Sequence, residues 1–268
     1  MLMGTTIEYP MDDDIEASRL EFQSRQAEYS LQGEFSGFSF EPGERVLDAG
    51  CGTGLLGRHL FNRFGARVDG VDASPLRVEQ GIALLSQDER RGVRLSCGNV
   101  ESLGSEYENV YDSVIGRYVM EYTTAPAEVV SHLRDALKPG GRLVLIDMDG
   151  VVINLSSASE ELSHYLGILE TESALDLRVG RKLPWLMHEA SLENIEWRAE
   201  LVEFQGDSLI QERENMQLRF SAAHGFLARL FGSEARVRDF VRLYLEEMMR
   251  PWNPLVYTKF ICVGVRPA

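Results

Sequence analysis

The sequence has few cysteines, and none is placed as a disulfide framework or a zinc site requires. Only three occur among 268 residues, Cys51, Cys97 and Cys262, and they lie far apart. An odd, widely spaced set does not build a disulfide framework, and there is no CxxC pair or Cys/His cluster. We therefore expect free thiols, a reducing cytoplasmic location and no metal ion.

Long hydrophobic runs are missing as well. No uninterrupted stretch of about 18 apolar residues occurs, so the sequence predicts no membrane-spanning helix. The first twenty residues, MLMGTTIEYPMDDDIEASRL, contain no basic segment followed by an apolar run. They therefore do not resemble a signal peptide.

Basic residues are outnumbered by acidic ones. The chain has 27 Lys and Arg against 42 Asp and Glu, which gives a net charge of −15. Such a charge repels phosphate, so general binding to nucleic acid or to an anionic membrane is disfavoured, although a local basic cleft is compatible with it. The length and the 44% hydrophobic share fit a soluble protein with a sizeable core.

Short apolar runs alternate with helical patterns between residues 45 and 148. Strands separated by helices pair in parallel through right-handed crossovers, so the pattern predicts a parallel sheet. The predicted strands are 45–49, 67–71, 93–97, 111–115 and 142–148, and the predicted helices are 55–64, 75–85 and 128–137.

Outside this region the pattern changes. Residues 15–32 carry an imperfect amphipathic stripe that predicts one helix, and residues 154–192 and 209–249 also read as helical. Apolar residues alternate with charged ones over 195–201, and an apolar run covers 255–265, so both are predicted strands.

The segment VLDAGCGTG, residues 46–54, is the most informative in the chain. A predicted strand runs into a loop with three glycines, and a predicted helix follows. Glycines let backbone N–H groups approach a ligand closely, and a helix N-terminus adds a positive dipole end. The segment therefore predicts a nucleotide-like ligand beyond the carboxyl ends of the strands.

Two cofactor classes fit the glycines alone. Gly52, Gly54 and Gly57 match GxGxxG, and Asp72 follows Gly52 by twenty residues, as an NAD site would require. Asp48, however, ends the strand two residues before Gly50. A carboxylate at that place suits a ligand that carries an ammonium group, and a dinucleotide fingerprint does not need it.

The string VLDAGCGTG resembles motif I of the class I S-adenosylmethionine (SAM)-dependent methyltransferases. Three later segments are similar to further landmarks of that family, in the right order between residues 45 and 148. They are VDAS at 71–74, GNVE at 98–101, and YDSVI at 111–115 followed by LKPGG at 137–141. Together the four landmarks are highly specific.

The resemblance implies how the methionine end of SAM would be held. Backbone groups of Gly50, Cys51 and Gly52 would line the methionine moiety, with Asp48 near its amino group. The carbonyl of Arg117 would face the same amine, and its guanidinium could reach the substrate or a carboxylate. Cys51 is interpreted as a small loop residue, since no basic neighbour in sequence would lower the pKa of its thiol.

The adenosine end would be held by residues after the second and third strands. Asp72 would accept hydrogen bonds from both ribose hydroxyls, and Ala73 would pack on adenine. Asn99, where the family more often has Asp, would bond the adenine amino group, and the Val100 backbone would bond a ring nitrogen. Glu101 belongs to the same motif.

Two softer similarities point to one branch of the family, which mostly methylates small molecules. Residues 16–23, with Arg19 and Gln23, resemble an N-terminal helix whose Arg and Gln cover the SAM site. Residues 180–190 resemble a GRxLPxLLxEAG stretch. By this resemblance the second segment helps to shape the substrate lid.

The catalytic residues are not decided by the sequence. Tyr118, Asp147 and His188 are candidates. Tyr118 and Glu121 follow the fourth predicted strand and Asp147 ends the fifth, so these three face the expected rim of the site. His188 lies in the variable region, where any histidine could touch substrate.

The resemblance predicts an α/β, Rossmann-like, seven-stranded and mostly parallel sheet with an antiparallel last strand, plus a helical lid. The chain is interpreted as a single domain over 1–268. Its parts are an N-terminal helical cover (1–40), a SAM-binding core (45–148), a substrate lid (150–192 and 207–254) and the last two strands (194–204 and 255–265).

The predicted reaction is methyl transfer from SAM to an oxygen, nitrogen or carbon nucleophile of a small molecule, with S-adenosylhomocysteine (SAH) as product. Two alternatives stay open: an NAD(P)-dependent oxidoreductase and a SAM-binding regulator without turnover. A homodimer is compatible with the sequence.

Overall fold

The computed structural model of the protein describes residues 9–11, 13–156 and 158–268. Within them seven strands form one sheet in the order β3-β2-β1-β4-β5-β7-β6. The strands are β1 (Arg45–Ala49), β2 (Arg67–Asp72), β3 (Val93–Cys97), β4 (Tyr111–Arg117), β5 (Leu137–Asp149), β6 (Glu193–Phe204) and β7 (Leu255–Val265). β1 to β5 pair in parallel, and β7 is antiparallel to both β5 and β6. The predicted sheet is therefore confirmed.

The described part of the chain also contains ten α-helices, joined in places by short 3₁₀ turns. They are α1 (Asp14–Gln23), α2 (Leu31–Glu34), α3 (Leu55–Phe64), α4 (Pro75–Leu84), α5 (Pro126–Ala136), α6 (Glu160–Glu172), α7 (Leu183–Glu189), α8 (Asp207–Ala222), α9 (His224–Phe231) and α10 (Glu234–Glu247). None of them is long and apolar enough to cross a membrane.

Helices cover both faces of the sheet, because successive side chains of a strand point to opposite faces. On β4, Ile115 packs with Leu60 of α3, whereas its neighbour Val114 packs with Leu133 of α5. These side chains are fully buried, and each contributes about 1.5–3 kcal/mol by leaving water. The central strands therefore read as continuous apolar runs.

A third apolar cluster lies beyond the carboxyl ends of the strands and joins α6, α8, α9 and α10. Aromatic rings dominate it, and Phe240 lies 5.0 Å from Phe220 and 5.1 Å from Phe231 between ring centroids. The helix predicted over 209–249 is here three helices, since the chain turns at Ala223 and at Gly232, whose φ is +83°. These helices cover the sheet at the carboxyl ends of its strands.

The segment predicted to help shape a lid takes a different place. In α7, Leu183, Leu186 and Met187 are buried in the core cluster that contains Leu133 of α5. Their i, i+3, i+4 spacing gives one apolar face, and that face covers the sheet. α7 therefore packs against α5, β6 and β7, and residues 183–190 do not line the cavity described below.

The N-terminal cover is broken where one helix was expected over 15–32. α1 ends at Gln23, a 3₁₀ turn covers Ala27–Tyr29, and Ser30 then caps α2 by accepting the Gly33 N–H. The break turns the ring of Tyr29 inward, where 2% of it is exposed. Residues 1–8 and 12, which belong to the predicted N-terminal cover, lie outside the described residues.

Candidate active site

A cavity of about 390 Å³ opens at the carboxyl ends of β1, β2, β4 and β5, where ligands bind in parallel sheets. α1 and α8 contribute to its roof. All eleven residues predicted to bind the cofactor line it: Gln23, Asp48, Gly50, Cys51, Gly52, Asp72, Ala73, Asn99, Val100, Glu101 and Arg117. In the described part of the chain, no group of three His, Cys, Asp or Glu side chains could hold a metal ion.

The loop after β1 has a backbone that requires glycine at Gly50. Its φ is +75°, and a Cβ there would lie 2.5 Å from Cγ2 of Val119, in the loop after β4. A side chain would therefore be strained twice, by the dihedral angle and by the contact. Because Gly50 has no side chain, the loops after β1 and β4 can pack against each other beneath the cavity.

Asp48 is a buried carboxylate with an unused oxygen. Its side chain is 2% exposed and Oδ2 has no hydrogen-bond partner, whereas the Gly57 N–H of α3 donates to the carboxylate. Burial raises the pKa of Asp48 to about 7, and nearby Asp72 adds to this against the opposing effect of Arg117. An ammonium group would supply the missing donor, so the residue fits the methionine end of SAM.

Asp72 is held by two backbone groups and keeps acceptor capacity. Oδ2 accepts the Gly52 N–H at 2.7 Å and Oδ1 accepts the Ser74 N–H at 2.9 Å. A carboxylate has about four lone-pair sites, so two further donors such as ribose hydroxyls can still bind. The same bonds fix the glycine loop to the end of β2.

Asn99 and Glu101 shape the far end of the cavity. Asn99 Oδ1 accepts the Glu101 N–H at 2.9 Å, which caps a short turn and leaves the amide nitrogen as a donor. The Glu101 carboxylate accepts the Thr124 hydroxyl at 2.8 Å and thereby ties this turn to the loop after β4. Asn99 thus has a structural role that its predicted adenine contact would share.

The guanidinium of Arg117 is already engaged. Its Nε lies 2.6 Å from Glu34 Oε2, and the group stacks 4.2 Å from the centroid of the Tyr118 ring. Glu34 also accepts Lys259 Nζ at 2.8 Å. These charges join the N-terminal cover to β4 and β7, so the guanidinium positions the cover and is not directed at a substrate.

α1 carries a second buried ion pair, between Arg19 and Glu16, and a hydrogen bond from Arg19 joins it to α8. Arg19 binds both oxygens of Glu16 at 2.6 Å, and its third nitrogen donates to Asn215 Oδ1 at 3.1 Å. On the same helix, Leu20 lies near the glycine loop, 3.5 Å from where a Cβ on Gly52 would be. The predicted covering of the site by α1, with Gln23 in the cavity wall, agrees with this geometry.

The three candidate catalytic residues differ in what they can still do. Both oxygens of Asp147 accept backbone N–H groups, from Met120 at 3.0 Å and from Met148 at 2.9 Å. The Tyr118 hydroxyl donates to Glu34 at 2.6 Å. Both residues line the cavity, whereas His188 is exposed on α7 and does not. The polar atoms of Asp147 and Tyr118 are therefore already hydrogen-bonded within the protein, Asp147 to the turn after β4 and Tyr118 to α2.

Glu121 is the carboxylate of this cavity wall without such commitments. It is 6% exposed, lines the cavity, and has the Tyr122 hydroxyl beside it. Burial raises its pKa, and the opposing effect of Arg219 is smaller. A carboxyl whose pKa is raised holds a proton more readily than an exposed one, as a proton acceptor requires.

Arg219 of α8 also lines the cavity, and the sequence analysis did not single it out. The sequence does contain a pattern that could have drawn attention to Arg219. Glu212, Asn215, Met216 and Arg219 follow the i, i+3, i+4, i+7 spacing of a buried helix face, and three of the four are polar. Polar residues on such a face indicate an internal network or a ligand.

The sheet order bears on the choice between the two cofactor classes. Dinucleotide-binding sheets of the Rossmann type have six parallel strands in the order 3-2-1-4-5-6. Here an antiparallel β7 lies between β5 and β6. This departure and the unpartnered Oδ2 of Asp48 both disfavour NAD.

The methyltransferase domain family matches residues 40–201, more than half of the chain. The chain belongs to the class I SAM-dependent methyltransferases. All four landmark segments of this chain lie within the matched residues.

Curated relatives share the central region of this chain. The mitochondrial ubiquinone biosynthesis O-methyltransferase of Schizosaccharomyces pombe is 38% identical over 105 residues, which are 38% of this chain and 37% of that protein. The malonyl-acyl-carrier-protein O-methyltransferase of Halalkalibacterium halodurans is 31% identical over 136 residues, 49% of each protein. The chain thus covers less than half the length of these relatives.

Solved structures resemble this chain over most of its length. Phosphoethanolamine N-methyltransferase 2 of Haemonchus contortus, solved with phosphomonomethylethanolamine and SAH, has a TM-score of 0.62 at 18% identity, over 96% of this chain and 58% of that one. The cyclase SpnF has a TM-score of 0.59 at 17% identity, over 94% and 82%. Because one neighbour is a cyclase, the reaction must be argued from the site.

Proposed function

We propose that this protein transfers a methyl group from SAM to a nucleophile on a small molecule. The observation that carries the proposal is the buried Oδ2 of Asp48, which lacks a donor beside a glycine loop fixed by Asp72. An acceptor atom buried without a partner costs about 1–3 kcal/mol, which a bound ammonium group would recover. Relatives named O-methyltransferases support oxygen as the first nucleophile to test.

The cofactor would be held along the ends of three strands. Backbone groups of Gly50 to Gly52 and the Asp48 carboxylate would bind the methionine end, and Asp72 would accept the ribose hydroxyls. Ala73, Asn99 and Val100 line the part of the cavity that would take adenine. These assignments follow the family motifs residue by residue.

Bound SAM supplies an electrophilic methyl group and a leaving thioether. The protein's own contribution is orientation and exclusion of water, since α1 and α8 roof the cavity. Where the nucleophile carries a proton, Glu121 is the proposed acceptor of that proton. Asp147 acts as a positioning residue, because its hydrogen bond to Met120 fixes the turn that carries Glu121.

Calorimetry with SAH and with NADH tests the cofactor. We expect SAH to bind the purified protein and NADH to give no measurable heat. Methyl transfer is then tested with radiolabelled SAM and panels of small phenols, carboxylic acids and amines. Binding of NADH without SAH would overturn the proposal, whereas SAH binding without turnover on any panel would favour a regulator.

We further infer a cytoplasmic location, which the unpaired state of Cys51, Cys97 and Cys262 supports. A homodimer stays a prediction that analytical ultracentrifugation can test. The nucleic-acid classes of acceptor are disfavoured by the net charge of −15.

A further inference from the structure

Arg219 is a cation on the cavity wall that has no anion within ion-pairing distance among the described residues. The residue is half-buried on α8, and its Nε is fully buried without a hydrogen-bond partner. Burial lowers the pKa of Arg219, but Tyr122 and Glu121 oppose this effect and the pKa is raised overall. The guanidinium therefore stays charged. A buried charge without a partner is costly, and proteins keep few of them without a function.

The other two arginines of the same region are satisfied. Arg19 binds both oxygens of Glu16, and Arg117 binds Glu34. Both pairs are within 2.6 Å and are formed inside the chain. Arg219 therefore differs from them in having its charge available to a ligand in the cavity.

A second, smaller cavity of about 50 Å³ lies on the far side of Arg219 from the glycine loop. Glu121, Tyr122, Val151 and Arg219 form the boundary that the two cavities share. Most of the remaining wall is apolar: Met11, Val152, Leu169, Leu175, Leu177, Phe220, Phe226 and Leu227. A ligand at Arg219 can thus combine a charged group with an apolar one.

We propose that the methyl acceptor is an organic anion whose carboxylate or phosphate binds Arg219 and whose apolar part reaches toward the second cavity. This inference rests on the proposed function and names its substrate class. An arginine fork matches the geometry of carboxylate and phosphate oxygens. Because the protein carries a net charge of −15, an anionic ligand needs such a local cation to bind.

The carboxylate of SAM is the competing partner for Arg219. Leu20 of α1 contacts the glycine loop, whereas Arg219 lies on α8 and also borders the second cavity, which the glycine loop does not line. The groups that influence Arg219 most are Tyr122, Glu121 and Tyr29, and the first two line that second cavity as well. The experiment below separates the two partners.

Calorimetry on the protein saturated with SAH tests the proposal with three probes: benzoate, phenyl phosphate and neutral benzamide. The variants are Arg219→Gln and, as matched control, Arg213→Gln on the same helix, since Arg213 lines neither cavity. We expect benzoate or phenyl phosphate to bind the native protein at least tenfold more tightly than benzamide. R219Q should weaken that binding at least tenfold, and R213Q should leave it unchanged. The stronger of the two anions identifies the acceptor group as carboxylate or phosphate.

The affinity for SAH, measured on the same samples, reports folding and separates the outcomes. Unchanged SAH affinity in R219Q with lost anion binding supports the proposal. Loss of SAH affinity in R219Q, equal binding of benzamide, or no anion binding to the SAH complex overturns it. If SAH does not bind the native protein, the proposed function fails and this inference fails with it; SAH binding without anion binding overturns the inference alone.

Discussion

Glu34 and Lys259 form an ion pair of 2.8 Å in the protein interior, with 1% and 4% of their side chains exposed. Glu34 belongs to the N-terminal cover and Lys259 to the last strand of the sheet. Arg117 binds the other oxygen of the same carboxylate at 2.6 Å. One carboxylate thus pairs with two buried cations and holds the cover on the sheet.

Removing this carboxylate should be strongly destabilising. In Glu34→Ala the cations Arg117 and Lys259 stay buried without a carboxylate, and each keeps only a backbone carbonyl as acceptor. We therefore expect a loss of about 3–5 kcal/mol in the free energy of unfolding. Urea denaturation at pH 7 measures it, with Glu41→Gln, an exposed residue nearby, as control. Although burial raises the pKa of Glu34, the two cations lower it below 4.5 overall, so its contribution is complete at pH 7 and is lost only as the pH falls below 4.5. A loss under 1 kcal/mol would contradict the structural role of this pair.

Asp72→Ala should weaken SAH binding by about 100-fold or more. The substitution removes two charge-assisted bonds to ribose, each of about 1.5–3 kcal/mol, and it frees the Gly52 N–H that Asp72 accepts. Calorimetry at pH 8 measures the change. Asp69→Ala on the same strand is the control, because Asp69 forms an outer ion pair with Arg45 and lines no cavity. Unchanged SAH affinity in D72A would refute the cofactor assignment.

Asp48→Asn should stabilise the ligand-free protein while weakening its cofactor binding. Burial raises the Asp48 pKa from 3.8 to about 7, so the folded state loses stability as the pH rises between these values. The asparagine avoids this cost, and the gain at pH 8 is up to about 4 kcal/mol and smaller at pH 5. Thermal denaturation at the two pH values measures it.

The same residue should make cofactor affinity depend on pH. A protonated Asp48 does not attract an ammonium group, so SAH affinity of the native protein should fall as the pH drops below about 7. In D48N the affinity should be low and flat across that range. A native affinity that is flat from pH 8 to pH 5 would count against an Asp48–ammonium contact.

Glu121→Gln should lower kcat and leave SAH affinity unchanged. As a proposed proton acceptor, Glu121 is active when ionised, and its raised pKa gives the native enzyme an activity that rises with pH. The kcat of the variant should be about 10²–10⁴-fold lower than that of the native enzyme. Its activity should also no longer show the rise with pH that ionisation of Glu121 causes. Initial rates of SAH release with the first acceptor that turns over provide the measurement. Exposed Glu128→Gln is the control, and equal kcat in both variants would remove Glu121 from the mechanism.

Gly50→Ala tests the close approach of the two loops. The new Cβ would meet Val119 at 2.5 Å and would require a φ of +75°, whereas Gly43 has a φ of +82° with no atom within 4 Å of its Cβ position. Gly43→Ala therefore costs only the dihedral strain, about 1–2 kcal/mol. We expect G50A to cost more than G43A in denaturant unfolding, and to lose SAH affinity while G43A keeps it.

The strands and the cofactor residues could be predicted because their determinants are local. VLDAGCGTG combines an apolar run, three glycines and the start of a helix. Each of these favours a particular backbone conformation by itself, without help from distant residues. The break of the predicted helix at Ser24 could not be predicted in this way, because burial of Tyr29 against distant residues decides it. Long-range packing likewise assigned α7 to the sheet, although its motif suggested a lid.

Side-chain roles were the least predictable part of the site. Asp147 lies where expected, but backbone groups of Met120 and Met148 occupy its oxygens. Arg117 ends the right strand, but Glu34, 83 residues away in sequence, takes its guanidinium. Such pairings depend on three-dimensional neighbours, which the spacing of residues along the chain does not encode.

The bonds that close the cofactor cavity also constrain the order of events during synthesis. Tyr29 reaches Glu212, Arg19 reaches Asn215 and Glu34 is bound by Lys259, across 183, 196 and 225 residues. The ribosome must therefore deliver the last strand before the first helices can dock, although β1 to β5 emerge much earlier. A chain released too soon would keep the glycine loop but have no roof over it. Closure of the cavity thus depends on residues as far along the chain as Lys259.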